Sequence, residues 1–276
     1  MVNEHISQIK QIIEDADAIL ITAGAGMGVD SGLPNFRIGD SFWRAYPAIK
    51  DLGKSYSQIA NPKLFINNPK LAWAFYGHRL NLYRDTVPHD GFKILLDLVK
   101  QKNDDYFIYT SNVDGQFQKA GFSDEKIVEV HGSIHYFQCL EDCRMDIWDA
   151  NDENVVVEMD KFKAKNIPLC KHCEAVARPN IMMFGDWGFN GNRTMEQENR
   201  FAAWYGALKK AGKKLVIIEI GAGTAIPTIR DKGEYIAKKY RNATLIRINP
   251  REYTIKPKLG FSIPFGGLDG LKKVLL

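Results

Sequence analysis

Four times along this chain an amphipathic, helix-like stretch runs into a short and almost wholly apolar one. Residues 5–16, HISQIKQIIEDA, set Ile6, Ile9, Ile12 and Ile13 on one helical face and lead into the strand-like AILIT at 18–22. FKILLDLVKQK leads likewise to DYFIYTSNVDG, FAAWYGALKKAGKK to LVIIEIGAG, and GEYIAKKYRNA to TLIRINP. Short β-rich runs separated by helices are strands buried on both faces, so the expectation is an α/β fold on a parallel sheet covered on both sides. Ligands of such sheets gather at the carboxyl ends of the strands. The turns AGAGMG, TSNVDG, GAGT and INP all fall at such ends. Their convergence says more than any one glycine-rich turn.

Two blocks interrupt the alternation. Residues 40–85, with FWRAYPAIKDLG and PKLAWAFYGHRLNLYRD, read as mainly helical and aromatic-rich, and residues 136–176 hold all four cysteines. Both are expected as modules inserted into a sheet domain whose own parts are residues 1–39, 86–135 and 177–276. A chain of 276 residues, 45% hydrophobic and 25% charged, has enough material for one large or two small domains. Its net charge of +4 is spread without a basic stripe, which argues against nucleic acid as a partner. No stretch approaches the roughly 20 apolar residues of a membrane span, and the N-terminus lacks the look of a secretory signal. The expectation is a cytoplasmic protein with no membrane partner, acting as a monomer.

The cysteines Cys139, Cys143, Cys170 and Cys173 form a C-x3-C and a C-x2-C pair separated by 26 residues. Two such turns, each giving two thiolates, can close a tetrahedral zinc site. Two disulfides or fortuitous clustering are the alternatives, and the missing secretory signal weakens the first. His172 lies between the last two cysteines and could substitute, but four cysteines already fill the shell. A site with four protein ligands has no open position, so its zinc would hold the fold and do no chemistry.

These motifs, in order, carry a resemblance: GAGMGVDSGLPNFR, TSNVDG, VHGS, the paired cysteines, ARPNIMMFGD, a glycine turn after a strand, and RINPRE. From about residue 5 to about residue 270 the chain resembles the sirtuins, NAD-dependent protein-lysine deacylases. The resemblance implies a Rossmann-like domain with an inserted small domain made of a helical module and a zinc ribbon. It implies NAD as cofactor, with structural zinc, and an acylated lysine of a protein as substrate. Gly24, Ala25, Gly26, Ser111, Asn112, Val113, Asp114, Gly221, Ala222, Gly223 and Asn249 would bind the cofactor. Asn35, Phe36 and Arg37 would belong to a loop that closes over it, Phe36 shielding the sugar and Arg37 stabilising charge. The acyl oxygen would attack the ribose anomeric carbon as nicotinamide leaves, giving an alkylimidate and finally free lysine and acylated ADP-ribose. Asn112 and Asp114 match the polar pair around ribose and carboxamide. His131 matches the base that deprotonates a ribose hydroxyl, a task suited to an imidazole. Each has a plainer alternative: Asn112 and the Asp114-Gly115 pair are ordinary turn residues, and Phe36 could be a buried loop residue. His135 reads as a surface or packing residue.

The same resemblance makes MMFGD, residues 182–186, the segment offering backbone hydrogen bonds to the acyl-lysine, with Met182, Phe184 and Gly185 as substrate-binding residues. Tyr76 and Arg79 stand three apart on one helical face and resemble the pair that reads the distal carboxylate of succinyl- or malonyl-lysine. A pair that merely packs and solvates its helix is the alternative. The chain also departs from the family pattern. Gly28 stands for serine, Asn35 for aspartate, Ser111 for glutamine, and Gly221-Ala222-Gly223 for G-T-S, with the following proline one residue early. Deacylation therefore leads. An NAD hydrolase or protein ADP-ribosyltransferase, and a non-catalytic NAD-sensing module, remain as alternatives.

Overall fold

The computed structural model describes residues 2–34, 46–51 and 53–276. Its strands are β1 (Ala18–Ala23), β2 (Tyr106–Thr110), β3 (Ile127–Glu129), β4 (Gly132–Cys139), β5 (Ile147–Asp149), β6 (Val157–Glu158), β7 (Lys163–Ala164), β8 (Ala177–Ile181), β9 (Leu215–Ile220), β10 (Ala243–Ile248) and β11 (Gly260–Ile263). Six of them form one parallel sheet in the order β11-β10-β9-β1-β2-β3. The four β-rich runs read from the sequence are its inner strands. The order reverses between β1 and β9, as in doubly wound dinucleotide-binding sheets, so the crevice lies beyond the carboxyl ends of these two neighbours.

β1, β2 and β9 are buried along their whole length, which is why they show no polar alternation. On one face of the sheet, Ile9 and Ile13 of the helix Val2–Glu14, Leu95 and Val99 of Asp90–Gln101, and Leu271 and Val274 of Gly267–Leu275 pack on Ile19, Ile21 and Ile218. On the other, Phe201 and Leu208 of the helix Asn192–Lys210 and Ile229 and Ile236 of Thr228–Lys239 cover Leu20, Phe107 and Ile217.

A separate core belongs to the helices between residues 47 and 85 and a three-stranded sheet, β5-β4-β8. Here Trp73 is fully buried and donates its indole N–H to the Ala177 carbonyl at 2.9 Å, tying the helix Pro69–Asp85 to β8. β4 straddles the boundary expected at 135/136, and β8 begins at the one expected at 176/177. They carry the chain from the large sheet into the small core and back.

At the crevice the turns after β1 and β9 interlock backbone to backbone. The Gly26 N–H donates to the Gly221 carbonyl at 3.0 Å, and a Cβ on Gly26 would lie 2.6 Å from the Gly221 Cα. A Cβ on Gly24 would meet the Gly221 oxygen at 2.7 Å, and Gly221 itself has φ +61. These glycines are needed for close approach before any ligand is considered. The chain then enters a 3-10 helix, Ala25–Ser31, and leaves it through Gly32 at φ +83. Gly26→Ala should cost about 1–3 kcal/mol in denaturant unfolding, the scale of an overpacked core site. A stability equal to wild type would mean that the two turns do not touch as described.

Candidate active site

A cavity of about 210 Å³ opens at this crevice, between the large sheet and the small core. The first turn contributes Ala25, Gly28, Leu33 and Pro34, and the turn after β2 contributes Ser111, Asn112, Val113 and Asp114. His131 enters from between β3 and β4, Met182, Met183 and Phe184 from the end of β8, and Tyr76, Arg79 and Tyr83 from the helix Pro69–Asp85. Residues spread over more than 100 positions of sequence thus share one wall-to-wall space.

The turn after β2 is stitched to the first glycine turn. The Asn112 side-chain amide donates to the Gly24 carbonyl at 3.0 Å, its backbone N–H to Thr110 Oγ1 at 3.0 Å, and Thr110 Oγ1 in turn donates to the Ala23 carbonyl. Asp114 accepts the Gln116 N–H at 3.0 Å, and Gly115 follows at φ +67. His135, read from the sequence as a surface or packing residue, is a packing residue: half-buried, with Nε2 2.9 Å from the Asp114 carbonyl oxygen. A Cβ on Gly115 would strike its ring at 2.7 Å.

Burial pushes the Asp114 carboxyl up to about 6, and the nearby Glu129 charge adds to this while Arg79 opposes it. The folded state therefore binds this proton more tightly than the unfolded chain. Its ionisation costs stability fully above pH about 6 and not at all below pH about 4. Asp114→Asn keeps an acceptor for Gln116 and removes that cost. The variant should gain on the order of 2 kcal/mol relative to wild type at pH 7.5, shrinking to nothing near pH 4. A difference that stays flat across this range in denaturant unfolding would rule out a raised Asp114.

Tyr76 and Arg79 are both buried. The guanidinium donates from Nε and Nη2 to the Tyr83 hydroxyl at 3.1 and 2.8 Å and lies within 5.2–5.7 Å of the Phe75, Tyr76 and Tyr83 ring centres. Burial pushes the phenols of Tyr76 and Tyr83 up, the latter to about 12, so both stay protonated at neutral pH. Tyr83 was not singled out from the sequence, although it stands seven residues after Tyr76 and four after Arg79, on the same helical face.

The segment after β8 is clamped from inside. Arg178, with a side chain 1% exposed, grips the wholly buried Asp186 through both guanidinium nitrogens and donates to the Ile181 carbonyl at 2.7 Å. Met183 N donates to the same carboxylate at 3.0 Å, Met182 N to the His131 carbonyl at 2.9 Å, and Phe184 N to the Ala60 carbonyl at 2.9 Å. Three successive amides are thus taken by the protein, and Met182 and Phe184 turn their side chains outward while Met183 turns in. Gly185 follows at φ +63. Arg178 and Asp186 were not singled out from the sequence, although opposite charges flanking PNIMMFG are a signal that could have found the clamp.

Beyond the second glycine turn, Asn249 donates to the Ala222 carbonyl at 3.0 Å and accepts from the N–H groups of Arg251 and Glu252 at 2.9 and 2.8 Å. A Cβ on Gly223 would lie 3.1 Å from a Glu252 oxygen. A Cβ is present in neither Gly24, Gly26 nor Gly28, which leaves the mouth of the crevice lined by backbone, as a dinucleotide's phosphates require. Asn35, Phe36 and Arg37 lie outside the described residues.

The sulfur atoms of Cys139, Cys143, Cys170 and Cys173 all lie within 4.8 Å of one another, with Cys139–Cys173 and Cys143–Cys170 both at 3.6 Å. A tetrahedron of sulfurs about 2.3 Å from zinc has edges of about 3.8 Å, whereas a disulfide needs about 2 Å. The arrangement fits zinc and leaves all four thiols unpaired with one another. One zinc per chain is expected by elemental analysis, and its removal by a chelator should lower the melting temperature. A metal-free protein of unchanged melting temperature would refute the site.

Residues 24–203 match the model of the Sir2 family. This chain belongs to the Sir2 family. Among its curated relatives, an NAD-dependent protein deacylase of Aquifex aeolicus is 27% identical over 263 residues, covering 95% of each chain. A probable bifunctional ADP-ribose hydrolase/ADP-ribosyltransferase of Fusarium oxysporum is 30% identical over 81% of this chain but only 38% of its own length. The sirtuin fold is shared with a solved Sir2 homologue–NAD complex, at a TM-score of 0.68 and 18% identity, covering 98% of this chain and 92% of that one. Among the described residues no helix is long and apolar enough to cross a membrane.

Proposed function

We propose that this sirtuin is an NAD-dependent protein deacylase that moves the acyl group of a modified lysine onto ADP-ribose and releases nicotinamide. One observation carries the reading: the first glycine turn, the Asn112–Asp114 turn, His131 and the Met182–Phe184 segment all line a single cavity. The activity named for the Aquifex relative, which matches along nearly its whole length, supports it.

NAD, when bound, supplies a sugar carbon from which nicotinamide can leave. Each residue then has a stated task. Asn112, held by Gly24, presents a fixed turn to the ribose and carboxamide, with Val113 and Asp114 beside it. Leu33, Ile181 and Met183 keep that end dry, which favours departure of a leaving group from a cationic sugar. His131 is the general base for a ribose hydroxyl. Because the amides of 182–184 are already bonded inward, that segment offers carbonyl oxygens, which accept from the N–H donors of an acyl-lysine. Ser111, Gly221, Ala222, Gly223 and Asn249 complete the cofactor side, and zinc only holds the ribbon. The same reading makes the protein a cytoplasmic monomer acting on lysines of other proteins.

The acyl group preferred is an acidic one, succinyl or malonyl. Its support is a buried guanidinium and a protonated phenol in the same cavity as His131, chemistry that suits a carboxylate better than a methyl group. Arg79→Met should lower the succinyl-to-acetyl ratio of kcat/KM at least about tenfold, the scale of one charge-assisted contact. An equal loss on both substrates would assign Arg79 to structure. His131→Ala should abolish turnover while zinc content and melting temperature stay the same. Undiminished deacylation would remove this residue from the chemistry.

ADP-ribosyl transfer is the second reading, favoured by the name of the Fusarium relative. Mass spectrometry of NAD with acetyl-, succinyl- and malonyl-lysine peptides separates the two. Peptide-dependent acyl-ADP-ribose supports deacylation, whereas NAD loss with every peptide unchanged supports hydrolysis or transfer.

A further inference from the structure

Trp187 is 100% exposed, the only large apolar side chain among the described residues with its entire surface in water. It is not at a loose end of the chain. Asp186 before it is locked to Arg178, and the Gly188 carbonyl after it accepts the Gln138 side-chain amide at 2.6 Å. Asn190 is also buried, donating to the Met145 carbonyl and accepting from the Asn192 N–H. A pinned backbone thus holds an indole out in solvent, one turn beyond Met182 and Phe184, which are 47% and 41% exposed at the cavity mouth.

A carboxylate stands beside the residue that follows it. Asp142, on the loop between the first two cysteines, has one oxygen 3.5 Å from the same Gln138 amide that holds Gly188, and the other 3.6 Å from where a Gly188 Cβ would lie. An exposed indole whose neighbour Gly188 shares the Gln138 amide with a carboxylate suits a cation, which gains from the ring quadrupole and the negative charge together. The ledge is continuous with the segment assigned above to the acyl-lysine, so its occupant is the rest of that polypeptide.

We propose that Trp187 and Asp142 form a docking ledge for a lysine or arginine flanking the acylated lysine of the substrate protein. This rests on the deacylase reading for the placement of the peptide, but it concerns the flanks and not the reacting group. The ledge would select among acylated lysines by their neighbours, a choice that the acyl pocket cannot make.

Three ligands test it: a succinyl-lysine peptide with two arginines on each flank, the same peptide with glutamates, and succinyl-lysine blocked at both ends. Wild type should take the arginine peptide with the lowest KM and bind it most tightly by fluorescence anisotropy. Trp187→Ala should raise its KM and Kd roughly two- to tenfold, the scale of one cation–π contact, and erase most of the arginine-over-glutamate preference. Trp187→Phe should restore part of it, and Asp142→Asn should reduce it. The blocked amino acid, which cannot reach the ledge, should show the same KM in each variant as in wild type. The proposal is overturned if wild type has no preference for cationic flanks, or if Trp187→Ala weakens the blocked amino acid as much as the arginine peptide. Absence of turnover with all three and with their acetyl and malonyl counterparts, but arginine-selective binding lost in Trp187→Ala, would instead defeat the deacylase reading and leave the ledge standing.

Discussion

Backbone touches backbone where the turns after β1 and β9 meet, and the site depends on that contact. With Gly26 N–H bonded to the Gly221 carbonyl and no Cβ on either side, two adjacent strands end in one continuous ledge of peptide groups. Asn112 then bonds to Gly24, so the third turn is registered on the first. Asn249 bonds to Ala222, so the fourth is registered on the second. Four loops from four strands are positioned by a chain of main-chain acceptors that starts at one pair of glycines. The rigid sheet fixes where the turns begin, and the glycines fix how closely they pack.

The opposite wall solves a harder problem. A guanidinium at 5% exposure has lost nearly all its water, and a buried charge costs several kcal/mol unless hydrogen bonds and polarisable faces replace that hydration. Arg79 donates two hydrogen bonds to Tyr83 and lies against the faces of Phe75, Tyr76 and Tyr83, and its charge reaches Asp114, opposing the upward shift of that carboxyl. Helical spacing makes this possible: Phe75, Tyr76, Arg79 and Tyr83 fall on one side of a single helix. The long aromatic helix is therefore a support for one cation as well as a core element.

Much of this was legible in the sequence. Continuous apolar runs announce strands buried on both faces, and so the sheet, while paired cysteines at short spacings announce a closed four-sulfur cluster. Tyr76 and Arg79, which share the cavity wall, were visible as a helical pair. Tyr83 was overlooked because a third aromatic at helical spacing is ordinarily core packing, and only the bond to Arg79 distinguishes it. The strand β4 crossed the boundary drawn at 135/136, because its pairing with β8, some 40 residues away, leaves no local trace, whereas β8 starts where the next part was expected to begin. Tyr56, whose ring meets Phe184 edge-on at 5.9 Å, gave no signal at all, since its role arises from a contact 128 positions away.

The departures from the family pattern acquire a physical meaning at the second glycine turn. With Ala222 and Gly223 where the family pattern has threonine and serine, two hydroxyls are absent from this turn, and the loop is held by other bonds of its own. Thr224 Oγ1 and N–H both donate to Glu252, Arg230 donates to the carbonyls of Ala222 and Glu252, and the Asn249 amide donates to the Ala222 carbonyl while its oxygen accepts from the N–H groups of Arg251 and Glu252. Beneath them Arg247, itself without exposure, is fixed by Glu219 on β9 and Glu234 on the neighbouring helix. Ion pairs that deep are worth little as net stability, but they allow few alternative arrangements of the loop above. A turn that holds its shape through internal bonds presents peptide groups rather than hydroxyls at the crevice. Gly28 follows the same logic across from it: a side chain there would press on Leu33 at 3.1 Å, so the missing serine makes room for an apolar wall of the cavity. Both departures leave backbone and apolar side chains where the family pattern has hydroxyls at the edge of the crevice.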